Sequence, residues 1–229
     1  MNVKEEMTRT AALLGGGACD KLKNARVAVF GIGGVGGYVC EALARAGVGA
    51  LDIYDADTVA LSNINRQIIA LHSNVGRAKV DVMRERIADI NPECRVTAHK
   101  VFYLPENADE YPLDGCDYIA DAVDTVAAKV ELAIRADRLQ IPMISAMGTG
   151  NKLDPTAFEV TYLSKTDTCP LARAVRRILR PKGLDKKLKV VYSRESAIQN
   201  DLGVIGSVSF VPSVAGLIMA GEIIKDLIK

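Results

Sequence analysis

The chain has 229 residues, room for one large domain or two small ones, and its 49% apolar residues supply a sizeable core. With 29 Lys+Arg against 28 Asp+Glu, the net charge of +1 excludes a uniformly basic nucleic-acid coat and an acidic tail, and the balance argues against disorder. No tryptophan and 5% aromatics leave little for base stacking along a single strand.

Residues 1–9 mix charges without an apolar stretch, so no secretion signal is expected. The five cysteines (Cys19, Cys40, Cys94, Cys116, Cys169) form no C-x-x-C pair, which excludes the common zinc-ribbon spacings and fits reduced thiols in a cytoplasmic protein. Residues 26–31 (RVAVFG) read as a β-rich strand running into glycines. Residues 35–46 then read as a helix with Val35, Val39, Leu43 and Ala46 on one face. A strand at residues 50–55 and a polar loop at 58–66 precede a helix at Lys79–Ile90, stopped by Asn91-Pro92. Strands at residues 95–98, Tyr118–Asp121 and Met143–Ala146 alternate with a helix at 127–138. This rhythm predicts an α/β, Rossmann-like, doubly wound and mostly parallel sheet with helices on both faces.

After Gly148-Thr149-Gly150 the pattern changes. Residues 158–163 alternate like an exposed or antiparallel strand, Pro170–Leu179 is a short basic helix, 180–188 a Lys-rich loop, and 189–192 another strand. Residues 213–228 read as a helix with Val214, Leu217, Ile218, Gly221, Ile224 and Leu227 along one face. The expected organisation is one domain: a nucleotide-binding core at 1–150, and a small antiparallel, substrate-side extension with a closing helix at 151–229. The apolar run 204–220 is broken by Gly206, Pro212 and Gly216 and sits at the lower edge of the roughly 17–25 residues a span needs. Core packing is the better reading, so no stable membrane span is expected.

Gly31-Ile32-Gly33-Gly34-Val35-Gly36 matches G-x-G-x-x-G between a strand and a helix. Such glycines let backbone N–H groups and the helix N-terminus approach phosphates. Asp55 ends the next strand, about 19 residues on, where a carboxylate accepts hydrogen bonds from ribose hydroxyls. A dehydrogenase binding NAD would present the same two features. Asn63-Ile64-Asn65-Arg66-Gln67, Lys79 at a helix start and Asp124 just past a strand discriminate. Two cations near the cofactor serve no hydride transfer, whereas ATP uses them to neutralise its triphosphate while Asp124 holds Mg²⁺. Taken singly, Arg66 and Lys79 read as surface charges and Asp124 as a helix N-cap.

GIGGVGGY, YDADTVALSNINRQ, GRAKVDVMRERIADINPE and DAVDT together resemble the ThiF/MoeB/HesA superfamily, the adenylating core of ubiquitin-activating enzymes. Within it, the run from Arg9 to Gly15, GIGGVG-x-Y-x-x-EALARxG and INPECRV resemble the branch that dehydrates threonylcarbamoyladenosine in tRNA. The resemblance implies that Gly31, Gly33, Gly34 and Gly36 form the loop beside the α-phosphate and that Asp55 contacts the ribose. Asn63, Arg66, Gln67 and Lys79 would hold phosphates, Lys79 at the leaving pyrophosphate, and Asp124 would bind Mg²⁺. Arg9 would reach the γ-phosphate of a neighbouring subunit, which requires a homodimer. The implied chemistry is carboxylate adenylation by ATP with loss of AMP and pyrophosphate; the motifs do not say whether a monovalent cation joins ATP and Mg²⁺.

The carboxylate's owner is the open question. One alternative is the C-terminus of a ubiquitin-like sulfur-carrier protein, and a third reading is a nucleotide-binding redox module without adenylation. The zinc tetrad of many carrier-activating relatives is absent here. Lys165, Arg173, Arg176, Arg177, Arg180, Lys182, Lys186, Lys187, Lys189 and Arg194 face few acidic residues, which favours tRNA phosphates over a merely solvated face. On this reading, charge reversal at Arg176, Arg177 and Lys187 weakens tRNA binding. Cys169 reads as a small buried cysteine ahead of a thioester- or persulfide-forming one that would serve a sulfur-transfer partner. Cys40 and Cys94 read as core, and His72 and His99 suggest neither a triad nor a metal site.

Overall fold

The computed structural model describes residues 4–229, so the first three residues of the charged N-terminal segment lie outside it. Seven strands form one sheet: β1 (Arg26–Phe30), β2 (Ala50–Tyr54), β3 (Arg95–His99), β4 (Tyr118–Asp121), β5 (Met143–Ala146), β6 (Phe158–Tyr162) and β7 (Lys189–Ser193), in the order β3-β2-β1-β4-β5-β7-β6. All neighbours are parallel except β6, which pairs antiparallel with β7 at the edge. The alternation at 158–163 is therefore that of an antiparallel edge strand. The chain winds outward from β1 through β2 to β3, then returns to build β4 on the other side. A crevice opens at the carboxyl ends of β1 and β4, where the strand order reverses.

Local sequence explains the central elements. β4 and β5 are buried along their whole length and β1 at all but its first residue, because helices cover both faces. Those helices are α1 (Thr8–Leu14), α2 (Gly16–Asn24), α3 (Gly36–Arg45), α4 (Lys79–Ile90), α5 (Val126–Leu139), α6 (Pro170–Leu179) and α7 (Phe210–Leu227). Among the described residues, none of them is long and apolar enough to cross a membrane.

Two helices were not read from the sequence, and two sequence expectations need correction. The helices α1 and α2 carry few buried side chains and meet at Gly15 with a φ of 86°, so they left no clear periodic signal. The loop at 180–188 winds into two 3-10 turns, Arg180–Lys182 and Leu184–Lys186, about Gly183 in the left-handed region. The buried face of α7 carries Val211, Ala215, Met219, Ala220 and Ile223, whereas Leu217 on the expected face is 49% exposed. Small residues decide this. A Cβ on Gly216 would lie 2.4 Å from the Val35 carbonyl oxygen, so α7 presents its smallest side chains where it meets the start of α3.

The C-terminal end of α7 is clamped to the sheet by Asp226. It accepts a hydrogen bond from Tyr118 Oη at 2.8 Å and pairs with Lys189 Nζ at 2.5 Å and Lys229 Nζ at 2.7 Å. Burial works against the carboxylate, but these three donors outweigh it and bring Asp226 down from 3.8 to about 2. A depressed carboxylate stabilises the fold above its unfolded-state value and loses that contribution as pH falls through the folded one. Asp226→Asn is expected to lower Tm by a few degrees near neutral pH, with the gap to wild type narrowing below about pH 4. Thermal denaturation across that range checks it; a gap independent of pH would contradict the clamp.

Candidate active site

The crevice is a cleft of about 710 Å³, and it gathers nine of the eleven residues singled out in the sequence: Gly31, Gly33, Gly34, Asp55, Asn63, Arg66, Gln67, Lys79 and Asp124. Gly36 stands just behind its wall as the first residue of α3. A Cβ there would fall 1.7 Å from the Gly31 carbonyl oxygen, so the loop can fold back on the helix only around a glycine. Arg9 is not brought to the cleft. It is exposed on α1, whose approach is fixed by Lys4 pairing with Glu93 at 2.6 Å and by Met7 packing on Gly47, both next to strand starts at the opposite end of the sheet.

Asp55 ties β2 to the glycine loop: Oδ2 accepts from the Ile32 N–H at 2.6 Å and Oδ1 from the Asp57 N–H at 2.8 Å. Burial raises its carboxyl above the usual aspartate value, opposed by the nearby Lys79 ammonium and these two N–H donors. Lys79 begins α4 and is buried, with Nζ 2.7 Å from Asp57 Oδ2, while its backbone N–H donates to the Asp57 carbonyl at 3.0 Å. Asn63 closes a 3-10 turn at Leu61–Asn63 by accepting from the Ala60 N–H at 3.1 Å. Arg66 donates to the Ser62 carbonyl (2.8 Å) and Asn65 Oδ1 (2.9 Å), leaving it at the cleft edge rather than solvated on a remote face.

Two observations test whether this cleft fits a nucleotide triphosphate. Gln67 is buried with its Oε1 lacking any partner, a polar group whose hydrogen bonding is completed only by something else entering. Its Nε2 lies 3.8 Å from where a Cβ on Gly33 would stand, so this amide and the glycine backbone adjoin. Buried cation and backbone N–H loop match a polyanion in charge and donor type, while the unfilled amide oxygen accepts from a donor such as a sugar hydroxyl. Asp124 is exposed in the segment between β4 and α5, and accepts from Thr125 Oγ1 at 3.4 Å. It does not cap the helix, whose N-cap is Thr125, so its carboxylate stays available to a cation.

Other parts of the cleft were not read from sequence. Phe30, Tyr54 and Tyr103 wall one side, with Phe30 stacked on Tyr54 (centroids 4.2 Å, 7°) and Tyr54 on His99 (4.4 Å, 8°). These rings end three adjacent strands in register, and an aromatic or imidazole at each strand's last position was the available signal. Asn65 Nδ2 donates to the Ser207 carbonyl at 2.9 Å, tying the 63–67 motif to the segment leading into α7. Cys169 is buried behind the cleft, its Sγ 3.4 Å from the place of a Cβ on Gly148. Cys40 and Cys94 are likewise buried.

The basic segment divides. Arg176 turns inward to Thr166 Oγ1 at 2.5 Å, Lys187 pairs with Asp137 at 2.7 Å, Lys189 with Asp226, and Arg194 with Glu159 at 2.5 Å. Arg173 and Arg177 on α6 and Arg180 at its C-terminal cap instead form an exposed line, spaced at helical intervals opposite the buried Ala172, Val175 and Leu179. Arg176 and Lys187 therefore do not belong to a free cationic surface.

The ThiF family profile matches residues 7–229. The chain is 45% identical to the tRNA threonylcarbamoyladenosine dehydratase of Bacillus subtilis, over 98% of this chain and 95% of that one. It is 46% identical to the dehydratase of the same name from Escherichia coli over 75% of this chain and 64% of that relative. The crystal structure of the E. coli dehydratase in complex with ATP superposes with a TM-score of 0.92 at 36% identity, covering 99% of this chain and 97% of that one. A profile match from residue 7 to residue 229, over nearly the whole chain, identifies it as a member of the ThiF family.

Proposed function

We propose that this protein is an ATP-dependent tRNA threonylcarbamoyladenosine dehydratase. The carrying observation is its 45% identity along 95% of the Bacillus subtilis dehydratase, joined to a cleft that assembles the glycine loop, Asp55, Asn63, Arg66, Gln67, Lys79 and Asp124. The threonine-derived carboxylate of the modified nucleoside attacks the α-phosphate of ATP; its oxygen–phosphorus bond forms as pyrophosphate leaves. The carbamoyl nitrogen then attacks the acyl-adenylate carbon, loses its proton and displaces AMP, closing a ring with net loss of one water. No side chain forms a covalent bond to substrate. The protein orients the carboxylate and stabilises charge as it develops.

In this reading the N–H groups of residues 31–36 face the α-phosphate, and Asp55 holds the ribose while bracing the loop through Ile32. Arg66 and Lys79 neutralise the phosphates and Asn63 and Gln67 hold them through their amide N–H groups, with Lys79 leaving Asp57 for the departing pyrophosphate. Asp124 would hold Mg²⁺, which would supply charge neutralisation on the leaving group. Residues 1–150 form the nucleotide side of one domain and 151–229 its substrate side, at work in the cytoplasm. Arg9, remote from its own cleft, serves the cleft of a second copy in a homodimer.

Incubation with ATP, Mg²⁺ and tRNA carrying threonylcarbamoyladenosine, in buffers with and without potassium, followed by nucleoside mass spectrometry, tests the reaction. The expected product is lighter by one water and absent without ATP or with Asp124→Ala. An unchanged nucleoside, with ATP–pyrophosphate exchange appearing only on addition of a carrier protein ending in Gly-Gly, would transfer the activity to carrier activation.

The exposed line on α6 is the surface offered to tRNA phosphates, since α6 starts beside the cleft at Leu171. Arg173→Glu, Arg177→Glu and Arg180→Glu together are expected to weaken tRNA binding at least about tenfold and to flatten the log Kd against log salt slope by about 2–3. Arg176→Glu should instead act through stability. Binding titrations at several salt concentrations check this, and an unchanged slope in the triple variant would remove α6 from the footprint.

A further inference from the structure

Among the described residues, one ion pair has both side chains fully buried: Lys129 Nζ on α5 lies 3.0 Å from Asp121 Oδ2 at the end of β4. Ser145 Oγ donates to that same oxygen at 2.5 Å, and Lys129 Nζ also reaches Ser145 Oγ (3.1 Å) and the Ala146 carbonyl (2.7 Å). The second carboxylate oxygen, Asp121 Oδ1, accepts from the Val123 N–H at 3.1 Å. The three ammonium donors thus meet three acceptors, and both carboxylate oxygens are used.

The anchors of this network are cleft residues or their immediate neighbours. Val123 adjoins Asp124 in the segment 122–125, and Ala146 opens the segment 146–150; both segments line the cleft that Lys79 also lines. Stability alone is a poor reason to bury such a pair, because apolar isosteres of similar volume commonly hold a fold equally well. Directional bonds do what apolar contacts cannot: they set the separation and tilt of the two segments to within a hydrogen bond's tolerance. From this geometry we infer that Lys129 is a positioning residue for adenylation. Acting through Asp121, Ser145 and the Ala146 carbonyl, it holds the segment bearing Asp124 in register with the 146–150 segment that lines the same cleft.

The inference rests on the adenylation reading above, so its test includes a measurement that does not. The variant of choice is Lys129→Met with Asp121→Asn, which removes both charges together and keeps a carbonyl acceptor for the Val123 N–H. It is expected to fold, with amide exchange across residues 122–126 of the nucleotide-free protein faster by about tenfold or more and exchange in α3 unchanged. Its kcat should fall by about thirtyfold or more and the Mg²⁺ concentration giving half-maximal rate should rise, with little change in KM for tRNA. Ser145→Ala, which leaves the ion pair in place, should produce a smaller change of the same pattern, and carries the test if the double variant does not fold. Wild-type exchange at 122–126 and wild-type Mg²⁺ dependence in a folded variant would overturn the inference. Failure of wild-type protein to dehydrate its nucleoside would instead sink the reaction, with the exchange experiment still deciding the positioning role.

Discussion

Lys79→Met is expected to reduce the rate of adenylation by about 10²–10³-fold while leaving the protein folded. Lys79 is buried, and its charge lies at the base of the cleft where water is scarce, so its interaction with a developing pyrophosphate is stronger than that of an exposed lysine. Methionine keeps the length and apolar contacts of the stem. Its ion-pair partner Asp57, with a side chain 66% exposed, remains solvated, and the buried Asp55 loses a nearby cation but keeps its two N–H donors, so the fold survives. Single-turnover measurement of pyrophosphate release, beside a thermal melt, separates the two effects. Adenylation at the wild-type rate in Lys79→Met would place the leaving group elsewhere in the cleft.

The second large effect falls on the glycine loop. Gly36→Ala puts a methyl group where the Gly31 carbonyl oxygen already stands, at 1.7 Å, and the carbonyl carbon at 2.9 Å. The loop has little room to retreat, because the Cβ position of Gly31 is itself 2.8 Å from the Ala122 carbonyl oxygen across the crevice. Overpacking of this kind against backbone costs about 3 kcal/mol, equivalent to roughly 6–12 °C in Tm for a domain of this size. Because the Ile32 N–H moves with the loop, the hydrogen bond to Asp55 loosens too. ATP affinity should therefore drop by about a hundredfold or more in whatever fraction folds. Denaturant titration and nucleotide binding check both parts, and near-native values for both would show that the turn has slack the distances deny.

Much of this architecture could be read from the chain because strong local signals agree with tertiary packing. Lys79–Ile90 has a clean apolar period and an Asn-Pro stop, and the structure places α4 at those bounds. Tyr118–Asp121 and Met143–Ala146 are short apolar runs buried on both faces, and they too appear unchanged. Boundaries slipped by one residue where the first loop residue looked strand-like: Gly31 leaves β1 with a φ of 85°, and Asp55 turns to bind the loop instead of extending β2. The cationic and acidic cleft residues were legible as a pattern because Asp55, Lys79 and Asp124 sit beside a strand end or helix start, positions that a doubly wound sheet collects at one edge, and Arg66 lies in the loop between two of them. What stayed hidden depends on neighbours distant in sequence. Arg176 and Lys187 look like Arg177 until packing turns them toward Thr166 and Asp137. Lys129 resembles any surface lysine in AAKVELAIRA, and only the docking of α5 on β4 and β5 buries it. The aromatic wall was overlooked because a low overall count says nothing of where rings concentrate.

That concentration of rings has an optical consequence. The chain has no tryptophan, so its ultraviolet emission and near-ultraviolet circular dichroism arise mainly from seven tyrosines and four phenylalanines. Tyr54 lies face to face between Phe30 and His99 at 4.2 and 4.4 Å, and Tyr103 meets Phe30 edge-on at 4.8 Å. Rings this close and this ordered share their electronic transitions, and Phe30, Tyr54 and Tyr103 line the cleft itself. The protein thus carries a built-in chromophore array at its own mouth, one whose spectrum changes when a molecule lies against it and needs no added dye to be read.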